Sequence, residues 1–244
     1  MSISERQPVE HARVEMRKVE LNRASKRSFG TLRDHARFTA VLRPDIPDFV
    51  SLPWANKPES GEFSPEFQKM AAEVILEAFK DKDPDIVLGV GNSGLAFAKE
   101  VHRQLRVKNV GRKTIAHGEI KNLGEITKMG ARTGKIFTAH SYSRNAEVSY
   151  YLPQIPTGKR VLVIDDVSAQ GSISVALVNA LKEMGADVVG LGVYFNKDWQ
   201  GGLKRFTAET GVPSFSVIRI ARREENGIVL TPRKEALTRF EPVV

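Results

Sequence analysis

Residues 161–174 read VLVIDDVSAQGSIS, and this stretch decides the fold class. An apolar run ends in two adjacent carboxylates, Asp165 and Asp166, and small residues around Gly171 follow before apolar residues recur at helical spacing. A short run of apolar residues predicts a strand buried on both faces, and the spacing after the loop predicts an amphipathic helix. The stretch therefore predicts a strand, a compact loop and a helix.

The same residue types suggest a chemistry for the loop. Small side chains allow successive backbone amides to converge on an anion, and the helix dipole adds positive potential. Carboxylates directly before such a loop are suited to accept hydrogen bonds from sugar hydroxyls or to hold hydrated magnesium. A sugar phosphate would supply a partner for each: its phosphate for the loop and its hydroxyls for the carboxylates. Composition leaves two alternatives open: an acidic strand end without a ligand and a phospho-accepting aspartate.

Outward from this stretch, strands alternate with helices. Ser64, Pro65 and Glu66 form a helix-start signal before apolar residues at helical spacing, and a second helix follows the buried strand predicted at 86–90. Further strands are predicted at 114–117, 135–139, 160–164, 188–195, 215–220 and 228–231. This alternation predicts an α/β fold with a doubly wound, mostly parallel sheet, whose ligands bind at the carboxyl ends of the strands.

A second glycine motif lies at the end of the strand at 86–90. Residues 89–94 read GVGNSG and match the pattern G-x-G-x-x-G, which lets backbone amides approach phosphate oxygens. A dinucleotide site would also need an acid at the end of the next strand, where Glu119 is only a loose fit. A dinucleotide-dependent oxidoreductase and a plain strand-to-helix turn are the alternatives at this motif.

The composition and the apolar periodicity of the chain change near residue 60. The first 40 residues are charged with poor apolar periodicity, and prolines at 44, 47, 53 and 58 follow. We therefore divide the chain into an N-terminal extension, 1–60, and a main domain, 61–244. The extension is predicted to be an arm, a partner-binding segment or a small hood over the active site.

Composition narrows the possible partners. The chain has 244 residues, 37 Lys and Arg against 29 Asp and Glu, and a formal net charge of +8, which favours polyanionic partners. There is no run of five basic residues to suggest a nucleic-acid tail, and the absence of cysteine excludes disulfides and thiolate metal sites. Without an apolar stretch of about 20 residues or a secretory signal, the sequence predicts a cytoplasmic protein.

These segments together resemble the type I phosphoribosyltransferases. Residues 161–174 are similar to that family's signature for 5-phosphoribosyl 1-pyrophosphate (PRPP), and residues 86–94 resemble its pyrophosphate loop. Residues 194–202, YFNKDWQGG, with 211–220, GVPSFSVIRI, resemble the base side of xanthine and adenine phosphoribosyltransferases and of the purine operon repressors. The resemblance covers about residues 67–231 and implies a type I phosphoribosyltransferase fold.

The resemblance also implies roles for individual residues. Asp165 and Asp166 would bind the ribose hydroxyls and, through water, Mg²⁺, and Arg144, in a closing loop at 141–147, would bring a cation to the leaving pyrophosphate. The other implied contacts are Ser168, Ala169, Gln170, Gly171 and Ser172 for the 5-phosphate, Gly91, Asn92, Ser93 and Gly94 for pyrophosphate, and Phe195, Lys197 and Trp199 for the base. Trp54 and Asn56 are hood candidates. Gln170 and Asn92 depart from the family's usual residues, which bears on substrate choice.

The implied activity is the Mg²⁺-dependent transfer of a phosphoribosyl group from PRPP to a purine-type base, with release of pyrophosphate, by a homodimer. A regulator that senses PRPP or a nucleotide and binds nucleic acid or a partner protein is the alternative. Its support is the net charge and the basic residues among 1–40. No DNA-reading pattern is found there.

The assignment of Asp166 gives a first prediction. We expect Asp166→Asn to lower turnover of PRPP by about a hundredfold or more, the typical cost of losing one well-placed interaction in such a site. The melting temperature should stay close to that of the wild type, which shows that the fold is intact. Unchanged turnover would contradict the role of Asp166.

Overall fold

The computed structural model describes residues 12–39, 41–42, 50–51, 64–109, 116–122, 134–141, 146–224 and 227–243. The strands are β1 (Val14–Lys18), β2 (Val41–Leu42), β3 (Val50–Ser51), β4 (Ile86–Val90), β5 (Ala116–Asn122), β6 (Gly134–Ser141), β7 (Ala146–Pro153), β8 (Arg160–Ser168), β9 (Asp187–Lys197), β10 (Ser214–Glu224), β11 (Gly227–Leu230) and β12 (Thr238–Pro242). The helices are α1 (Arg23–Thr39), α2 (Pro65–Ala78), α3 (Gly91–Lys108), α4 (Ser172–Glu183), α5 (Gly202–Thr210) and α6 (Arg233–Ala236), with a 3₁₀ turn at Asp198–Gln200.

A mostly parallel sheet forms the centre of the molecule. Its five middle strands run parallel in the order β10, β9, β8, β4 and β5. The antiparallel strands β12 and β1 extend one side, β7 and β6 extend the other, and β11 pairs with β10. The predicted α/β class and mostly parallel sheet are confirmed. The carboxyl ends of the middle strands lie at one edge, which is where ligands bind in such folds.

Helices cover both faces of the sheet. One apolar cluster contains residues of α1, α2 and α3, and the other contains residues of α4 and α5. Strand β8 lies between them: Leu162 and Ile164 belong to the first cluster, and Val161 and Val163 to the second. This two-sided burial explains why residues 161–164 of the strand are all apolar. In the described ranges, no helix has both the length and the apolar character needed to cross a membrane.

The helix-start signal at residues 64–66 is confirmed, and a glycine ends a second helix. The Ser64 hydroxyl accepts a hydrogen bond from the Phe67 amide at 3.2 Å, and α2 begins at Pro65. After α4, Gly185 has φ +80°, the left-handed conformation expected of a glycine that ends a helix. These residues therefore set the start of α2 and the end of α4.

Several elements were not predicted. Phe29, Leu32 and Ala36 of α1 are fully buried against α2 and the sheet, and β1 pairs with β12. Residues 12–39 thus pack against the main body, while the division at residue 60 stays a prediction. Strand β7 lies where the sequence analysis placed part of a polar loop, and β5 and β6 extend beyond the predicted bounds.

A buried arginine connects the C-terminal strand to α2. Arg239, with 5% of its side chain exposed, donates to the Ala78 carbonyl at 2.6 Å and to the Asp81 carboxylate at 2.9 and 3.1 Å. Its Nε donates to Glu241, another buried residue. The hydrogen bond from Arg239 lowers the pKa of Asp81 to about 2. This stabilising contribution is present above about pH 4 and is lost as the pH falls towards 2.

We expect Arg239→Ala to lower the free energy of unfolding by about 3 kcal/mol, because it leaves Glu241 as a buried charge without its cation. Arg103→Ala is the control, since Arg103 is exposed and its pair with Glu100 should contribute less than about 0.5 kcal/mol. Urea unfolding at pH 7 measures both. Equal losses from the two variants would contradict a structural role for the buried pair.

Candidate active site

The carboxyl end of β8 turns tightly into α4. Gly171 precedes the helix with φ +77°, and its amide lies in a loop of small residues. A Cβ atom on Gly171 would lie 2.8 Å from the Gly202 carbonyl oxygen, and one on Gly202 would lie 2.2 Å from that of Ala169. Both positions therefore need glycine, because the loop packs directly against the start of α5.

A cleft of about 70 Å³ opens along this loop. It is lined by His140, Asp165, Val167, Ser168, Ala169, Gln170, Gly171, Ser172, Ile173 and Ser174. The Ser168 hydroxyl is buried and has no hydrogen-bond partner among the described residues. Together with the amides at the start of the twelve-residue helix α4, this hydroxyl provides donors suited to a phosphate. The structure thus brings all five residues of the predicted 5-phosphate loop to one cleft.

The two carboxylates before the loop are held in place by short-range hydrogen bonds. The Asp166 amide donates to Asp165 Oδ1 at 2.8 Å, and the Val167 amide donates to Asp166 Oδ1 at 2.9 Å. The Ser93 side chain is hydrogen-bonded to the Asp166 carboxylate. Asp165 is 8% exposed and Asp166 is half-buried. The pair therefore lies at the edge of the core, with Asp166 on the more open side.

Burial changes the acidity of this pair. Desolvation raises the pKa of Asp165 well above its usual range, and the neighbouring charge of Asp166 raises it further. Desolvation also raises the pKa of Asp166, against the hydrogen bonds that it accepts from its surroundings. None of the groups that shift these pKa values is a cation from the described part of the chain. The site therefore favours a bound cation or hydrogen-bond donors.

The second glycine loop meets the carboxylates from the side of β4. Gly91 has φ +60° at the start of α3, and Gly89 pairs with Ile164 across the sheet. A Cβ atom on Gly94 would lie 3.0 Å from the Ile164 carbonyl oxygen and 3.2 Å from the Asp165 Cα. The structure thus brings Ser93 and Gly94 to the carboxylate pair and places Gly91 at the start of the same loop, while the Asn92 side chain lies outside the described residues.

The predicted base-side residues lie at the end of β9, beside the phosphate loop. Strand pairing aligns Phe195 with Val167 and Asn196 with Ser168. Phe195 is only 4% exposed, and its ring centroid is 4.1 Å from that of Tyr194, inside the apolar core. Lys197 is 5% exposed. Trp199 is partly buried against the same core. Base stacking by Phe195 stays a prediction, and its ring contributes to core packing.

A polar network next to these residues was missed in the sequence. The Asp198 carboxylate accepts two hydrogen bonds from Arg219 Nε, at 2.9 and 3.0 Å, and others from Asn196 and Thr231. The Asn196 Oδ1 atom is buried and has no partner among the described residues. Arg219 is 21 residues from Asp198, so no local pattern shows the pairing. This network stabilises the turn that carries Lys197 and Trp199.

His140 is the other residue that sequence reasoning missed. It lines the cleft from β6, a strand at the far edge of the sheet, because β6 also packs against α4. Three predicted residues, Arg144, Trp54 and Asn56, lie outside the described residues. Their assignments remain predictions.

Two glycine loops and a carboxylate pair at the carboxyl edge of a parallel sheet are the arrangement of the type I phosphoribosyltransferase fold. The chain belongs to the phosphoribosyl transferase domain family, whose model matches residues 61–238. It is an enzyme of the pentosyltransferase class. The family expected from the motifs is confirmed.

Individual relatives agree with this assignment. The chain is 26% identical over 165 residues to a xanthine phosphoribosyltransferase of Geobacillus thermodenitrificans, covering 66% of this chain and 77% of that protein. It is 25% identical over 154 residues to an adenine phosphoribosyltransferase of Sorangium cellulosum, covering 62% and 71%. The crystal structure of adenine phosphoribosyltransferase from Rhodothermus marinus has the same fold, with a TM-score of 0.61 at 20% identity, covering 78% of this chain and 99% of that one.

The raised pKa of Asp165 gives a prediction about stability. Since the pKa of this group in the folded protein lies above the ordinary value of about 3.9, its contribution to the stability of the ligand-free protein becomes unfavourable as the pH rises above about 4. Asp165→Asn removes the charge and keeps the oxygen that accepts the Asp166 amide. We therefore expect this variant to melt at a higher temperature than the wild type at pH 8, with little difference at pH 4.

Differential scanning calorimetry of the ligand-free proteins at the two pH values measures this difference. Asp187→Asn is the control, because Asp187 is exposed at the start of β9. A lower melting temperature for Asp165→Asn than for the wild type at pH 8 would contradict the inferred electrostatics.

Proposed function

We propose that this enzyme transfers the phosphoribosyl group of PRPP to a purine-type base and releases pyrophosphate. The observation that carries the proposal is the buried pair Asp165 and Asp166, which lies between two loops built for anions. One loop would hold the 5-phosphate and the other, at Ser93, would hold pyrophosphate. The ribose between them would then lie against the carboxylates. PRPP has this order of groups, with a phosphate at each end of a polyol ring.

The residues present fit a magnesium ion. Carboxylate oxygens are the ligands that Mg²⁺ prefers, and it is commonly held by one or two carboxylates together with substrate phosphates. Asp165 and Asp166 would hold the ion, in part through water, and its charge would offset the desolvation and the repulsion from Asp166 that raise the pKa of Asp165. When bound, magnesium neutralises charge that builds on the leaving pyrophosphate.

The chain itself would contribute position and charge. In the reaction the bond from the anomeric carbon to the pyrophosphate oxygen breaks, and pyrophosphate leaves with the electron pair. A bond forms from a base nitrogen to the anomeric carbon, and that nitrogen gives up its proton to solvent. Positive charge develops on the ribose ring as pyrophosphate leaves. The carboxylates of Asp165 and Asp166 would stabilise this charge, and amides of both loops would hold the two phosphate groups in line.

The base would bind at the end of β9. The Lys197 side chain would lie near an exocyclic oxygen or ring edge of the base, with Phe195 and Trp199 forming the apolar side of the site. Support for a purine comes from the relatives, which are named xanthine and adenine phosphoribosyltransferases. Purine salvage is the corresponding role in metabolism.

The remaining parts of the proposal are carried by family resemblance. Arg144 would approach the leaving pyrophosphate from the loop between β6 and β7, and the N-terminal segment with Trp54 and Asn56 would cover the base. A cytoplasmic homodimer belongs to the same proposal.

The test is incubation of the purified protein with PRPP, Mg²⁺ and, separately, xanthine, guanine, hypoxanthine, adenine, uracil or orotate. We expect one or more purines to give the nucleotide together with an equal amount of pyrophosphate. Chelation of the metal should abolish the reaction. Asp165→Asn serves as the inactive reference and Asp187→Asn as the matched carboxylate control.

Each other outcome corrects a different part of the proposal. Nucleotide formation from uracil or orotate alone would contradict the purine assignment. Binding of PRPP without any turnover would replace the enzyme with a PRPP sensor. Full activity after metal removal would contradict the magnesium assignment.

A further inference from the structure

His140 lies at the cleft beside the phosphate loop. It precedes the last residue of β6, and strand pairing places it opposite Glu147 of β7. The imidazole Nδ1 is 3.7 Å from Glu147 Oε1, and 42% of the His140 side chain is exposed. A ring with a carboxylate near one nitrogen and a partly exposed side chain can bind a ligand through its second nitrogen.

The cleft offers few positive charges to a phosphate. Among the described residues that line the cleft, His140 is the only one whose side chain can carry a positive charge. The others are small, amide or apolar residues and the carboxyl group of Asp165. A phosphate monoester carries up to two negative charges, so without His140 only neutral donors, the loop and helix amides and the serine hydroxyls, would hold it beside that carboxyl group. A charge-assisted hydrogen bond from an imidazolium is about twice as strong as a neutral one.

We propose that His140 Nε2 donates a hydrogen bond to the phosphate monoester at the 5 position of the bound ribose. Glu147 would be the positioning residue, since its carboxylate lies on the Nδ1 side of the ring and leaves Nε2 for the ligand. This inference rests on the proposed function, because it deepens the same site. It adds a cationic side chain to a phosphate loop otherwise made of backbone amides and hydroxyls, and it extends the site to the β6 and β7 hairpin.

Separate binding measurements on the two halves of PRPP distinguish an effect at the 5-phosphate loop from an effect at the pyrophosphate loop. Ribose 5-phosphate and pyrophosphate are titrated, each with Mg²⁺, into the wild type, His140→Gln, His140→Lys and Glu147→Gln by isothermal calorimetry. We expect His140→Gln to weaken the binding of ribose 5-phosphate about tenfold, as is usual for a lost hydrogen bond to a charged group. Pyrophosphate should bind within twofold of the wild type, because its loop at Ser93 is untouched.

Two further variants distinguish ligand contact from a structural effect. His140→Lys should recover most of the lost affinity, because it restores a cationic donor. Glu147→Gln should give a smaller loss than His140→Gln. His35→Gln, an exposed histidine on α1, is the control and should bind both ligands like the wild type. In turnover, His140→Gln should raise KM for PRPP about tenfold and change kcat less than threefold.

These measurements distinguish failure of the proposed function from failure of the role assigned to His140. PRPP is also titrated into the wild type. If the wild type binds neither PRPP nor ribose 5-phosphate with Mg²⁺, the proposed function and this inference are both overturned. If the wild type binds them and His140→Gln binds ribose 5-phosphate equally well, only the role of His140 is overturned. An equal loss for pyrophosphate and ribose 5-phosphate would also overturn the assignment to the 5-phosphate.

Discussion

The burial of two neighbouring carboxylates at the end of β8 is the constraint on which the rest of the site depends. Asp165 and Asp166 are adjacent in the chain, desolvated and without a cation from the described residues, so burial raises the pKa of both. A fold gains nothing in stability from such a pair. Its retention is explained when a ligand supplies what the protein does not, namely a divalent cation and sugar hydroxyls. The pair is thus a place where stability is given up for binding.

The site also depends on close contacts between backbone segments. Gly94 allows α3 to lie against the end of β8, and Gly202 allows α5 to lie against the phosphate loop. In each case a Cβ atom would come within 3.0 Å of a carbonyl oxygen, so the two loops and the start of α5 hold one another in position. This packing leaves the amides at the start of α4 directed to the cleft, and it places the base-side turn next to Ser168 through the pairing of β8 with β9.

Much of this arrangement could be predicted from the sequence, because it is encoded locally. The apolar strands, the Ser64 cap and the glycine loops each lie within about ten residues, and parallel pairing brings their carboxyl ends together. What could not be predicted depends on distant contacts. The apolar residues of α1 are spaced among many charges, so its buried face was missed, and the alternation in β7 was overlooked beside a polar loop. The Asp198 and Arg219 pair and the place of His140 follow only from the folded sheet.

The most direct test of the account is a crystal structure of the enzyme with PRPP and Mg²⁺. We predict that the 5-phosphate lies on the loop 168–172, that the ribose hydroxyls contact Asp165 or Asp166, and that the pyrophosphate lies near Ser93. A bound PRPP molecule whose ribose lies away from both carboxylates, with the loop 168–172 making no contact to phosphate, would contradict the central claim.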